Sequence, residues 1–465
     1  MLVDVLLNLY NEAISVDARP PKSWKESVIT VLHKSGKHND PGNYRPITII
    51  PLLYKLFAKL LYTRLSPILN REQSMDQAGF RQDFSTVHHL SAFVNIQEKA
   101  HEWQIPVWTA AIDFKKAFDS VEHECLWSAL VKQGVPPGYV RILSDLYKDQ
   151  TGRVRTDRMS KQFDILRGTK QGDPLSSLLF NALLEDIMRE VKPRWIQKKF
   201  GLQLGYTDLT QLTNLRFADD VLLMSPTLPR LQHMLHDVAT AAKSRGLELH
   251  PDKTKIISNV TQKRGRSSAS HANVMGMSIE ILPYSASLKY LGRMITFDAC
   301  HSTEVKNRIA CAWRRFMVIR NELTNKRYSL DQRMRLFDMI VSSTMLYGTA
   351  TWTLTKDLEN QVRRTQRKML RMVLHYPRHI ISEAHEEKKL EPWVEWVKRT
   401  THAAETRLDS LNLRDWVESH HDAKTKWHAK VSTGSNDNWA YWAFHWSPCG
   451  TRKQGRPKEK WSDGM

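Results

Sequence analysis

Asp113 closes a short apolar run, Val107–Phe114 (VWTAAIDF), and the pair Asp219-Asp220 interrupts a later one, Leu212–Ser225 (LTNLRFADDVLLMS). Carboxylates gathered at strand ends and tight turns repel one another unless divalent cations neutralise them. Hard oxygen donors of this kind select Mg²⁺ or Mn²⁺. Two such ions can activate an attacking hydroxyl and stabilise a leaving pyrophosphate. An Asp-Asp pair alone is as readily a solvated turn, so the chemistry depends on what holds the three residues.

The local patterns supply candidate holders. Val107–Phe114 is short and apolar up to its acid, which predicts a buried strand. Leu212–Ser225 has two apolar runs around the acidic pair, which predicts a hairpin with Asp219 and Asp220 at its turn. Tyr54–Leu65 carries apolar residues at helical spacing, and Leu175–Met188 reads as a helix after the turn signal Gly172-Asp173-Pro174. Thr261–Ala272 is basic and Ser-rich without a hydrophobic period, so a loop is expected. Beyond residue 300 strand signals fade. Val305–Phe337 and Leu358–Leu374 read as helices, and residues 307–337 hold eight Lys/Arg against two acids.

Composition narrows the partners. With 465 residues, 41% hydrophobic and 25% charged, the chain is globular in type and long enough for more than one domain. A net charge of +20 favours polyanions, nucleic acid first, over a merely basic surface. No apolar run reaches membrane-spanning length. The N-terminal stretch Met1–Tyr10 contains Asp4 and Asn8 and has no basic flank, so no secretory signal is expected. Cys125, Cys300, Cys311 and Cys449 are too few and too scattered for a disulfide framework or a zinc module, which favours a reducing compartment.

The order of motifs is more specific than any one of them. AIDFKKAFDS (111–120), RGTKQGDPLSSLLFN (167–181), FADD (217–220), GLELHPDKTK (246–255) and KYLG (289–292) together resemble the successive palm motifs of reverse transcriptases. Upstream, WKESVITVLHKSGKHNDPGNYRPITII (24–50) and DQAGFR (76–81) look like finger segments of the non-LTR (LINE-type) retrotransposon branch. RIACAWRRF (308–316), STMLYGTATWTL (343–354) and GRPKEKW (455–461) are similar to its thumb and C-terminal stretches. Two departures stand out. The chain opens inside the fingers, so a form truncated at the N-terminus and lacking the endonuclease is expected. Cys449 is the only cysteine after Cys311, which excludes a Cys/His zinc knuckle there.

The resemblance implies roles position by position. Asp113 and Asp219 match the metal-bridging carboxylates, with Asp220 as their neighbour. Phe118 matches the aromatic gate under the incoming sugar; otherwise it is a core aromatic. Gln171 and Gly172 match the motif that packs against nucleotide and template, and Lys34 and Arg45 the cations that clamp the triphosphate. Lys253 matches the proposed general acid toward pyrophosphate, although His250 stands where relatives usually carry Asn. In Gln361–Leu374, Val362, Met369, Leu370 and Val373 form one apolar face. Arg363, Arg364, Arg367, Lys368 and Arg371 lie largely off it, as a thumb gripping a duplex backbone would place them. Eight of the fifteen tryptophans follow residue 390. They are candidates for stacking on unpaired bases or, more simply, for core.

The expected protein is therefore an α+β right-hand polymerase. Residues 1–295 would be fingers and palm, 296–385 a basic helical thumb, and 386–465 a Trp-rich basic tail. The activity implied is RNA-directed DNA synthesis from a primer 3′-hydroxyl with Mg²⁺ or Mn²⁺. Partners would be an RNA template, a DNA primer, dNTPs and an endonuclease supplied separately, with no membrane. Its place would be intracellular, in the nucleus. A decayed element remnant that only binds nucleic acid, and a group II intron maturase or other cellular reverse transcriptase, are the competing readings.

Overall fold

The computed structural model describes residues 2–15, 20–34, 36–260, 270–381, 389–452 and 460–462. Most of the expected loop Thr261–Ala272 and of the stretch 455–461 lies outside the described residues. The chain divides into two compact units, residues 1–86 with 106–283, and residues 87–105 with 284–465.

In the first unit the strands begin with β1 (Glu26–His33), β2 (Tyr44–Ile49), β3 (Trp108–Ile112), β4 (Gln150–Arg155) and β5 (Phe163–Ile165). They continue with β6 (Leu202–Gln203), β7 (Gln211–Leu212), β8 (Asn214–Phe217), β9 (Asp220–Ser225), β10 (Lys255–Ser258), β11 (His271–Val274) and β12 (Met277–Ile281). Among the described residues a four-stranded sheet runs β2-β1-β4-β5 and a six-stranded sheet β11-β12-β10-β3-β9-β8. The expected strand near Asp113 is β3, flanked on both edges by the antiparallel strands β10 and β9. A strand hemmed in this way needs uncharged residues, and WTAAI supplies them.

Helices cover this sheet because their apolar residues recur every three or four positions. Leu228–Lys243 packs on β9 and β3 and buries Leu231, Met234, Leu235, Val238 and Ala242. The helix expected over Leu175–Met188 runs as Ser176–Gln197 and is buried on all sides from Leu178 to Met188. It outlasts the expectation because Val191 and Trp195, one turn apart, keep a face buried after the charged residues begin. The predicted helix Tyr54–Leu65 lies within Leu52–Glu72, with Tyr54, Phe57, Leu61, Leu65 and Leu69 inside the core. Each such side chain contributes roughly 1.5–3 kcal/mol by leaving water.

The second unit is mainly helical, so the chain as a whole mixes helix and strand as the α+β expectation requires. The stretch Val305–Phe337 is not one helix but Cys300–Val318, Arg320–Thr324 and Leu330–Phe337. The last of these restarts at a capping box: the Ser329 hydroxyl accepts from the Gln332 N–H, and the Gln332 side chain accepts from the Ser329 N–H. Lys356–Leu374 begins at the Thr355 cap and stops at His375, whose φ of 52° ends the helical path. Val362, Met369, Leu370 and Val373 are buried, the face predicted. Of the late tryptophans, Trp416, Trp427, Trp439, Trp446 and Trp461 are core, and Trp396 and Trp442 are half-buried. Trp393 is 61% exposed. Among the described residues no helix is long and apolar enough to cross a membrane.

Candidate active site

The acidic centre is made by strand register. β3 pairs with β9 so that Ile112 faces Val221, which brings Asp113, one residue on, level with Asp220, one residue back. Cross-strand neighbours share a face, so these carboxylates approach each other across the ladder. Within the hairpin β8–β9, Phe217 pairs with Asp220, leaving Ala218 and Asp219 as a two-residue turn. The expected turn is therefore one residue earlier than Asp219-Asp220: Asp220 already belongs to the strand. Ala218 has a φ of 57°. That left-handed value at the first loop position suits a tight hairpin but strains a residue with a Cβ, and such strain persists only where neighbours enforce it.

The enforcing neighbour is Gln77 of the DQAGFR segment, which is fully buried. Its side-chain oxygen accepts from the Ala218 N–H at 2.9 Å and from the Gly79 N–H at 2.9 Å. A Cβ on Gly79 would sit 2.3 Å from the Ala218 nitrogen, so only glycine lets the two backbones come this close. The segment is latched to β8 as well, since the Ala78 N–H donates to the Arg216 carbonyl at 2.9 Å and the Arg216 N–H to the Asp76 carbonyl at 2.7 Å. Arg216, itself buried, pairs with Glu185 at 2.7 Å, and Lys192 reaches Asp76 at 2.5 Å. Removing one member of a buried pair of this kind costs roughly 3–5 kcal/mol. Sequence reasoning took DQAGFR only as a finger motif and missed Gln77 and Gly79 as supports of the turn.

Asp113 is held from the other side by the HPDKTK loop. Its N–H donates to the Thr254 hydroxyl at 3.3 Å, and its carbonyl accepts from the His250 N–H at 2.7 Å. His250 thus acts here through its backbone, which explains how a residue other than Asn fits. Lys253 Nζ stands 3.6 Å from the Asp113 carboxylate, both side chains being well exposed. The pair is therefore weak and free to exchange partners.

Charge accumulates at this centre. Asp220 is solvent-accessible, yet the surrounding protein, then the charges of Asp219 and Asp113, push its carboxyl up to about 6. Burial and Asp113 likewise raise Asp219, while Lys34 and Arg45 pull it down. Both cations are exposed and share one edge of the four-stranded sheet. Arg45 pairs opposite Leu32 in β2, and the Lys34 N–H, two residues beyond Leu32, donates to the Asn43 carbonyl at 2.8 Å. Among the described residues no three His, Cys, Asp or Glu side chains form a ready-made metal cage. The donor set still fits Mg²⁺ or a similar ion: such ions are commonly held by one or two carboxylates together with substrate phosphates.

Phe118, Gln171 and Gly172 are each fixed by contacts with neighbouring segments. Phe118, half-buried, stacks on Phe180 with ring centroids 4.5 Å apart. The Gln171 amide donates to Asp119 at 3.1 Å, and its carbonyl accepts from the Thr48 N–H at 2.8 Å, tying this loop to β2. Gly172 has a φ of 112°, and a Cβ there would lie 2.9 Å from the Thr48 carbonyl oxygen. Neighbouring Lys170, absent from the sequence reading, is buried: its ammonium donates to the Trp24 carbonyl at 3.1 Å, and burial lowers its pKa to about 8.

The five cations expected to form a thumb surface lie in the second unit and divide by partner. Arg363 and Arg364 are exposed. Arg367 pairs with Glu405 at 2.5 Å, Lys368 sits over the Trp313 ring at 5.5 Å, and Arg371 donates to the Thr401 hydroxyl at 2.8 Å.

Residues 32–295 match the family described as reverse transcriptase (RNA-dependent DNA polymerase). Over 367 residues the chain is 27% identical to a retrovirus-related Pol polyprotein from the type-1 retrotransposable element R2 of Popillia japonica, covering 77% of this chain and 49% of that protein. It is 26% identical over 413 residues to the probable RNA-directed DNA polymerase from transposon BS of Drosophila melanogaster, covering 86% of this chain and 44% of that one. The structure aligns with apo telomerase from Candida tropicalis at a TM-score of 0.43 and 12% identity, over 93% of this chain and 71% of the other. The chain spans half or less of the length of these two retrotransposon relatives.

Proposed function

Since the chain belongs to the reverse transcriptase (RNA-dependent DNA polymerase) family, we propose that its acidic centre extends a DNA primer 3′-hydroxyl along an RNA template, as in LINE-type retrotransposition. The observation that carries this reading is the register that sets Asp113 level with Asp220 beside the strained Ala218–Asp219 turn. Asp113 and Asp219 would hold Mg²⁺ or Mn²⁺, with Asp220 adding charge. Bound there, such ions supply Lewis acidity toward the primer hydroxyl and the phosphoryl oxygens.

The chain's own groups do the rest. Lys34 and Arg45 grip the triphosphate of the incoming dNTP, the guanidinium through paired hydrogen bonds. Gln171 and Gly172 give the nucleotide and template a close backbone surface. Phe118 closes the space beneath the sugar. Lys253, beside Asp113, stands ready to protonate the departing pyrophosphate. Residues 1–295 would serve as fingers and palm, 296–385 as thumb and 386–465 as tail. An endonuclease supplied separately would provide the nick, and the nucleus would be the place of action.

The test is primer extension on an RNA template with Mg²⁺ or Mn²⁺. Asp219→Asn should abolish extension while leaving binding of the primed template within about twofold, because the carboxylate serves chemistry more than docking. Extension near the wild-type rate in that variant would remove the assignment. Extension absent from the wild-type protein, with binding intact, would favour the reading as a non-catalytic nucleic-acid-binding remnant.

A further inference from the structure

Within the second unit, the end of the helix Lys356–Leu374 and the start of the helix Trp393–Ser410 enclose an open cavity of about 490 Å³. Its chemistry is one-sided. Lys326, Lys368, Arg371 and His375 line it together with Trp393 and Trp396, and no carboxylate is among its described lining residues. Among the described residues Lys326 has no ion-pair partner, Lys368 sits over the Trp313 ring, and Arg371 donates to the Thr401 hydroxyl. Among the described residues, then, no acid is paired with these cations.

The aromatic side is equally specific. Trp396 is anchored, its indole N–H donating to the Tyr376 carbonyl at 3.1 Å. Trp393 lies against it, ring centroids 4.7 Å apart and planes 33° from parallel, but keeps 61% of its surface open. The other seven tryptophans after residue 390 are buried or half-buried, so the exposure of this one is not a general property of the tail. An indole offered to solvent, propped by a fixed second indole and flanked by cations that no described acid pairs, suits a ligand that is flat on one part and anionic on another.

We propose that this cavity binds an unpaired nucleotide of a single-stranded nucleic acid, the base stacking on Trp393 and the adjoining phosphates meeting Lys326, Lys368 and Arg371. Along a duplex both faces of each interior base are already stacked, so away from its ends a duplex meets this site only through the cations. The site therefore discriminates strand state rather than sequence. It rests on the polymerase reading only in that both take nucleic acid as ligand.

The test measures binding of fluorescein-labelled oligoadenylate ten nucleotides long, an abasic sugar-phosphate strand of equal length, and a blunt duplex, all to the full chain. Trp393→Ala should weaken oligoadenylate binding about tenfold, the scale of one base–aromatic stack, and leave the abasic strand and the duplex within about twofold. Trp393→Phe should recover most of the loss. Unchanged oligoadenylate binding in Trp393→Ala, or equal losses for all three ligands, would overturn the proposal. Primer extension separates the two readings: Trp393→Ala should add one nucleotide at the wild-type rate to a short primer–template with a single unpaired template base, whereas Asp219→Asn should keep the oligoadenylate site and lose extension.

Discussion

Replacing Gln77 by Met should disable the acidic centre without touching an acidic residue. Methionine keeps nearly the same volume and length, so no cavity opens, but it offers no acceptor to the N–H groups of Ala218 and Gly79, each now served at 2.9 Å. Both residues are buried, so neither N–H gains water in exchange. Stranding a buried donor costs about 1–3 kcal/mol, so the pair predicts a loss of roughly 2–6 kcal/mol in unfolding free energy. For a unit of this size that lowers the thermal midpoint by about 5–15 °C. The catalytic consequence is larger, because Ala218 has every reason to relax from its φ of 57° once the clamp is gone. Relaxation moves Asp219, and displacement by about 1 Å can cost on the order of a hundredfold in rate. We expect kcat in primer extension to fall by about that factor, with KM for dNTP nearly unchanged. Urea or thermal unfolding, measured beside steady-state extension, checks both parts. A variant as destabilised as expected but with wild-type kcat would show that the turn holds its shape without Gln77. Gly79→Ala attacks the same junction from the other side, since its Cβ would lie 2.3 Å from the Ala218 nitrogen, and should lose activity in parallel.

Phe118→Ala should incorporate ribonucleotides far better relative to deoxyribonucleotides, read as a ratio of kcat/KM values; equal losses for both would assign Phe118 to packing against Phe180 alone. Replacing Arg363 and Arg364 together by Ala should flatten the salt dependence of duplex binding by about 0.9 in log–log slope for each phosphate they neutralise. Arg367→Ala should change it less, because that guanidinium is already paired with Glu405. In buffer free of divalent ions, stability should fall as pH rises from about 4 through about 6, since the folded centre holds its Asp220 proton more tightly than the unfolded chain does. Millimolar Mg²⁺ should restore stability at pH 7 and much less at pH 5, where the proton competes, and Asp220→Asn should flatten both responses; a pH profile identical to wild type would place the effect elsewhere.

Local chemistry was enough to find the parts whose signals are local. A carboxylate ending an uncharged run marks a strand end, and two apolar runs around FADD mark a hairpin, because period and punctuation reflect the backbone's own geometry. The apolar face of Lys356–Leu374 was legible for the same reason: Val362, Met369, Leu370 and Val373 share one side of any helix of that sequence. Motif order then joined Asp113 to Asp219 across more than a hundred residues. It did so by resemblance, since no periodicity spans that distance. What tertiary structure alone decided is how these parts meet. The Gln77–Ala218 hydrogen bond links residues 141 apart in the chain and leaves no pattern in either segment. The turn's place at Ala218–Asp219, rather than at the acidic pair, follows from pairing register, which a neighbouring strand sets. Five similar cations on one helix look alike in sequence, yet Glu405, Trp313 and Thr401 arrive from elsewhere to engage three of them. Likewise a tryptophan is core or platform according to what packs on it: Trp416 is fully enclosed, while Trp393 keeps an open face. Burial depends on the residues brought alongside by folding, and a side chain's own identity states only what it would gain from them.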